Sequence, residues 1–162
     1  LFVVLICVTL CSCNVKEEKR LCKEGEKSLE NGYLTKATEF FTKAIEANSS
    51  YAKAYFLRGK AHFQLRDYQK ATDDITKGFS LDSRDKRGEW THLRGCAYRE
   101  LRDHERSLSD FNAAIEKGNK YLRSYELNSN PAFDAKRNYE RQLQGYYQDR
   151  DNALKSLQGK PK

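Results

Sequence analysis

Residues 57–67, Leu57-Arg58-Gly59-Lys60-Ala61-His62-Phe63-Gln64-Leu65-Arg66-Asp67, decide the fold, because both ends of the stretch return at residues 93–103. Leu57-Arg58-Gly59 recurs as Leu93-Arg94-Gly95, and Leu65-Arg66-Asp67 recurs as Leu101-Arg102-Asp103. Working outward from each glycine, small and large residues fall at fixed gaps of 12, 4 and 3. One set is Gly59, Ala71, Ile75 and Gly78; the next is Gly95, Ser107, Phe111 and Ala114. An earlier set is Gly25, Ala37, Phe41 and Ala44. The second set starts 34 residues after the first and the third 36 after the second, a register that a chance amphipathic bundle does not keep.

Those residue types have a physical reading. Gaps of 4 and 3 keep residues on one face of a helix. The small residues lie where two antiparallel helices cross, and their lack of bulk lets the backbones approach. Phe41, Ile75 and Phe111 fill the space beside them. Asn31-Gly32, Arg66-Asp67 and Arg102-Asp103 mark turns within hairpins. Asn48-Ser49-Ser50 and Asp82-Ser83-Arg84-Asp85 mark turns between hairpins and are expected to supply N-caps. With prolines only at 131 and 161, long helices are allowed through most of the chain.

This pattern resembles the tetratricopeptide repeat family. The resemblance implies an all-α fold, a right-handed superhelix of antiparallel helical hairpins. Three repeats are expected over 18–51, 52–87 and 88–119. The departures are modest. The aromatic near the start of each repeat is Tyr55 in the second, shifted to Trp90 in the third and replaced by Leu21 in the first. Ser49 and Ser83 stand where the family has proline, and two extra residues fall near Asp85 to Gly88. Residues 120–162 are read as a linker and a degenerate capping hairpin. There Asp149 and Ala153 match Asp67 and Ala71, while Arg141 stands where a glycine is due. Phe133, Tyr139, Leu143 and Tyr146 or Tyr147 are available for packing. Residues 120–127 either extend the preceding helix or cross to the cap.

The composition of the 162 residues, 38% hydrophobic and 33% charged, suits a two-layer array with no deep core. The net charge of +7 is spread through mixed-sign runs, so it reads as solvated helix surface, and no nucleic-acid partner is expected. His62, His92 and His104 form no HExxH-type arrangement, no glycine-rich phosphate loop occurs, and Asp73-Asp74 reads as surface charge. No catalytic residue, no metal site and no cofactor is therefore expected, and the chain is not read as an enzyme.

The N-terminus reads as an address. Residues 1–10 are apolar except for Thr9, too short to span a bilayer, which needs about 20 residues, and of the size of a signal-peptide core. Leu10-Cys11-Ser12-Cys13 resembles a bacterial lipobox, which implies lipidation of Cys13, a signal peptide over 1–12 and a polar tether over 13–17. The missing initiator Met and basic segment lead us to expect residues ahead of Leu1. Lys16 followed by Glu17 and Glu18 resembles the surface-export signal of some lipoproteins, with a plain polar tether as the favoured reading, and the expected location is the bacterial cell envelope, at the outer membrane or the cell surface. Cys7 and Cys11 leave with the signal. Cys22 and Cys96, two repeats apart, are read as free helix-borne residues, not as a disulfide.

The family resemblance further implies a concave binding face lined by the first helix of each hairpin. Lys53, Phe56, Lys60 and Phe63 lie there in the second repeat, Glu89, His92, Cys96 and Arg99 in the third, and Lys19, Cys22, Glu26 and Leu29 in the first. The partner-binding set is thus Lys53, Phe56, Lys60, Phe63, His92 and Arg99, suited to a peptide or helix with apolar anchors and negative charge. Phe56 or Phe63 packing against a neighbouring hairpin is the competing reading. Chaperone-binding members grip a C-terminal carboxylate with Lys, Asn and Arg; Cys22, Glu26, Leu57, Glu89 and Leu93 stand at those positions, so that clamp is absent. The expected function is a membrane-tethered protein–protein interaction scaffold or adaptor of the cell envelope. The alternative is an accessory lipoprotein of a cell-wall or secretion machine that touches peptidoglycan or another polymer directly.

Overall fold

A computed structural model describes residues 17–127 and 133–158. The lipobox, with Cys13, and the Asn128–Ala132 stretch lie outside the described residues, as do the last four positions. Among the described residues there are seven helices and no strand: α1 (17–30), α2 (Leu34–Ala47), α3 (Ala52–Gln64), α4 (Tyr68–Leu81), α5 (Glu89–Glu100), α6 (His104–Leu127) and α7 (Phe133–Gln158). They fall into two compact units that divide between Ser83 and Arg84.

The unit that ends at Ser83 holds two hairpins, α1/α2 and α3/α4, with α2 packed on α3. Its core is built on the small-to-large contact that the register anticipates. A Cβ placed on Gly25 would stand 2.5 Å from the Phe41 ring, and one on Gly59 would stand 2.8 Å from Ile75. Ala37, Phe41, Ala44, Ala71 and Ile75 are fully buried around these crossings. Arg58 adds a polar tie across α3 and α4: its Nε and Nη2 donate to the two oxygens of Asp74 at 2.8 and 2.7 Å, and its Nη1 donates to Thr42 Oγ1 at 3.1 Å. Asp74 is therefore a buried partner rather than the surface charge read from Asp73-Asp74; only Asp73 is exposed.

The unit that begins at Arg84 repeats this plan in α5/α6. A Cβ on Gly95 would lie 2.9 Å from the Phe111 ring, Ser107, Phe111 and Ala114 are fully buried, and Arg94 grips both oxygens of Asp110 at 2.8 Å. The helix α6 runs straight through residues 120–127, so these extend it and form no linker. Gly118 lets α7 approach closely: a Cβ there would meet Leu143 at 2.6 Å and the Tyr139 hydroxyl at 2.9 Å. Ala114, Ile115, Leu143 and Tyr146 form the buried cluster between α6 and α7.

The expected capping hairpin is instead one helix of 26 residues, continuous through Asp149. The three true hairpin turns explain the difference. Each needs one residue in the left-handed region: Gly32 at φ 78°, Arg66 at 64° and Arg102 at 61°. The next amide then bonds back to the helix, from Tyr33 to Ser28 O, from Asp67 to His62 O and from Asp103 to Tyr98 O, each at 2.9 Å. Ahead of Asp149 no residue turns left-handed, and the helix carries on.

The caps meet expectation before α5 and not before α3. The helix α3 starts after Tyr51, which makes no side-chain cap bond, and Asn48 Oδ1 accepts from the Ser50 amide inside its own turn at 3.0 Å. Before α5, Asp85 does the capping from a distance: the Thr91 amide and hydroxyl donate to its Oδ2 at 3.0 and 2.6 Å. Gly88 makes that entry possible, with φ 76° and its α-carbon against Ala114 O, where a Cβ would stand at 2.6 Å.

Candidate functional site

The residues expected to receive a partner divide between the two units and behave differently in each. In the first unit, Lys53, Lys60 and Phe63 lie on α3, seven and three residues apart, so they share a helix face. Lys60 is exposed, and Phe63 is half-buried, its ring edge-on to Tyr68 at 5.5 Å between centroids. Lys53 reaches Glu26 of α1 at 2.8 Å, an exposed pair of small energetic weight. Phe56 does not present itself. It is 5% exposed, stacks edge-on with Phe79 at 5.1 Å, and fills the space that a Cβ on Gly78 would enter at 2.7 Å. The competing reading therefore holds for Phe56, which is core. Cys22 of α1 is buried as well, and burial pushes its thiol up to about 11.

The turn between α1 and α2 adds a surface that the register did not flag. Tyr33 is 64% exposed and Leu65 37% exposed; with Gly32, Leu34, Thr35 and Lys36 they line an open recess. The available signal was an aromatic placed directly after a left-handed glycine.

In the second unit His92 and Arg99 do not line an open surface, because α7 has taken them. The helix periodicity puts His92 and Cys96 of α5 one turn apart, with Arg99 beyond them. Asp149 of α7 comes in from the other side. His92 Nε2 stands 2.9 Å from Asp149 Oδ2, and Arg99 Nη1 donates to Asp149 Oδ1 at 2.5 Å. Cys96 Sγ lies 3.7 Å from the same His92 nitrogen and 3.9 Å from the same Asp149 oxygen. The His92 ring lies flat on Tyr146, 4.0 Å between centroids and 16° between planes, with Phe111 at 5.4 Å.

The electrostatics follow from this packing. Hydrogen bonds from His92, and with them those from Arg99, hold the Asp149 carboxyl below the usual carboxylate range against the opposing effect of burial. Burial pushes the Cys96 thiol up to about 12, reinforced by the Asp149 charge and opposed by Arg99. A thiol so placed stays protonated at neutral pH and is a poor nucleophile. His92 Nε2 faces Asp149 Oδ2, while Cys96 Sγ lies 3.7 Å from Nε2 and 3.9 Å from Nδ1. With its proton held by burial, the Cys96 thiol is not an activated nucleophile in this trio. Asp149 escaped the sequence reading because it lies 57 residues from His92 and sits where the register suggested a turn.

Comparison with known proteins agrees with the repeat plan. The family model described as tetratricopeptide repeat matches residues 52–85 and 92–116. The uncharacterized protein MJ0572 of Methanocaldococcus jannaschii is 32% identical over 69 residues, which span 43% of this chain and 80% of that protein. Among solved structures, the tetratricopeptide domain of Arabidopsis OM64 is similar with a TM-score of 0.62 at 25% identity, over 80% of this chain and 96% of that one. The second such domain of human RPAP3, determined in complex with the HSP70 peptide SGPTIEEVD, is similar with a TM-score of 0.56 at 22% identity, over 68% of this chain and 96% of that one.

Proposed function

We propose that this chain, which belongs to the tetratricopeptide repeat family, is a protein-binding scaffold that receives a partner peptide or helix on the face of α3, the first helix of its second hairpin. The observation that carries this reading is the face of α3. Lys60 is exposed and Phe63 half-exposed one turn apart, while Phe56, one turn earlier, is spent on the core. An extended or helical segment with an apolar anchor and a carboxylate a few residues away suits that pair. Peptide complexes of the fold's neighbours, such as the human RPAP3 domain, support peptide binding as the mode. Their acidic tails are not the ligand proposed here, because Cys22 and Leu57 are buried at positions where the carboxylate clamp needs polar donors.

The proposal extends to location. Residues 10–13, Leu10-Cys11-Ser12-Cys13, suit thiol lipidation at Cys13, and two or more acyl chains give stable membrane attachment. The scaffold would then hold its partners at a bacterial cell envelope, at the outer membrane or the cell surface. Pull-down from envelope extracts with the parent chain and with Lys60→Ala/Phe63→Ala tests the binding face: the variant should lose the partners that the parent retains, and equal recovery would refute the face. Membrane fractionation of Cys13→Ser tests the tether; release to the soluble fraction is expected, and a variant that stays bound sinks the lipid assignment.

A further inference from the structure

We infer that His92, Cys96 and Asp149 form a binding site for one divalent transition-metal ion of the zinc class, which clips α7 onto the third hairpin. The inference is independent of the scaffold reading. It rests on convergence: the donor atoms Nε2, Sγ and Oδ2 all lie within 4.8 Å of one another, at 2.9, 3.7 and 3.9 Å pairwise. A tetrahedral zinc ion with bonds of about 2.0 Å to nitrogen and oxygen and about 2.3 Å to sulfur sets its ligands about 3.3 to 3.6 Å apart. The cluster needs shifts of a few tenths of an ångström to meet that geometry.

The donor set and its surroundings both fit. Two ligands one turn apart on a helix, with a third from a packed neighbour, make a chelate that the secondary structure holds in place. Sulfur and imidazole together select a borderline-soft ion over magnesium or calcium. The groups around the ligands hold them rigidly. Arg99 holds Asp149 Oδ1, so Oδ2 is the oxygen turned to His92 and Cys96, while Tyr146 and Phe111 fix the plane of the His92 ring. On binding, the Cys96 thiol proton leaves to solvent, and the proton that His92 Nε2 shares with Asp149 moves by solvent exchange to Nδ1, which frees Nε2 for the ion. Thiolate and carboxylate then neutralise the ion's two charges, and water completes the four-coordinate shell. Cys96 is 7% exposed, so the site is sheltered, and His92 and Asp149 keep it reachable from solvent.

The test is cobalt(II) titration of the full chain after chelator treatment, in a background with Cys7, Cys11 and Cys13 changed to Ser. That leaves Cys22 and Cys96 as the thiols. We expect one ion per chain, with a thiolate-to-cobalt charge-transfer band and the intense visible bands of four-coordinate cobalt, and displacement by zinc. Cys96→Ser should abolish the charge-transfer band, Cys22→Ala should keep it, and His92→Gln and Asp149→Asn should each weaken binding by about tenfold or more. Helicity by far-ultraviolet circular dichroism accompanies every variant. Should Cys96→Ser fail to fold, the affinities of His92→Gln and Asp149→Asn decide the matter. No band at one equivalent, a band that survives Cys96→Ser, or parent-like affinity in both ligand variants overturns the site.

Discussion

Ser107 offers the sharpest quantitative test of the repeat logic. It stands at the helix crossing where the other two repeats have Ala37 and Ala71, and like them it is fully buried. Its hydroxyl has no hydrogen-bond partner among the described residues. A buried hydroxyl without a partner costs about 1 to 3 kcal/mol in protein mutational data. Replacing Ser107 by Ala removes that cost, and alanine's better helix propensity adds about 0.5 kcal/mol. The missing oxygen leaves a small void that subtracts some of the gain. The two sister repeats already close around alanine there, so the backbone needs no rearrangement. We expect Ser107→Ala to stabilise the unit that begins at Arg84 by about 1 to 2 kcal/mol.

The assay can be local, because the chain's single tryptophan, Trp90, lies in that same unit. Urea unfolding followed by Trp90 fluorescence should show a higher midpoint with an unchanged slope. A thermal scan of the same signal should rise by about 4 to 8 °C per kcal/mol for a unit of this size. The reverse change, Ala71→Ser, should lower the stability of the other unit by a similar amount. An unchanged or lower midpoint in Ser107→Ala would refute the claim that this crossing is a dry small-residue contact.

Two further outcomes follow from contacts on other helices. Gly25→Ala should destabilise by about 1 to 2 kcal/mol, since its Cβ would sit 2.5 Å from the buried Phe41 ring and overpacking outweighs the helix gain; Gly145→Ala, where nothing lies within 4 Å, should stabilise by about 0.5 to 1 kcal/mol, and equal signs in urea titrations would contradict the packing. His62 titrates below the ordinary imidazole range, chiefly through burial, with Asp74 opposing and Arg58 and Lys70 assisting. Its folded form resists the proton that the unfolded chain accepts, so its contribution to stability is complete above about pH 6.5 and falls away as the pH drops below that value. His62→Gln should flatten this acid limb in urea titrations run from pH 7.5 down to pH 5, and an unaltered limb would show that His62 does not produce it.

The parts of this molecule legible in its sequence are those whose partners lie at a repeated distance. Gly25 against Phe41, Gly59 against Ile75 and Gly95 against Phe111 are one contact made three times, so the 12, 4 and 3 gaps expose it without coordinates. The Arg58–Asp74 and Arg94–Asp110 pairs were equally available, 16 residues apart in both repeats. The first repeat has Glu24 and Phe40 at those positions, so the pair is not universal along the chain and does not stand out from the register.

Asp149 shows where register stops being informative. It aligns with Asp67, and residue type alone made it a turn marker. What distinguishes the two is their surroundings. Asp67 follows a left-handed residue, and in the next repeat Asp103 does the same and accepts from the Arg106 amide at 3.0 Å as a helix cap. Asp149 follows a helical glutamine and gives its oxygens to His92 and Arg99, residues that the array would otherwise have offered to a partner. The same aspartate thus closes a turn in one setting and seals a binding face in the other. Which of these it does is decided by whether the preceding backbone can enter the left-handed region, and by what the crossing helix holds out to meet it. In this chain the second condition governs: α7 meets His92 and Arg99 of α5 with its own Asp149, so the proposed partner face is left to α3, where Lys60 is exposed and Phe63 half-buried.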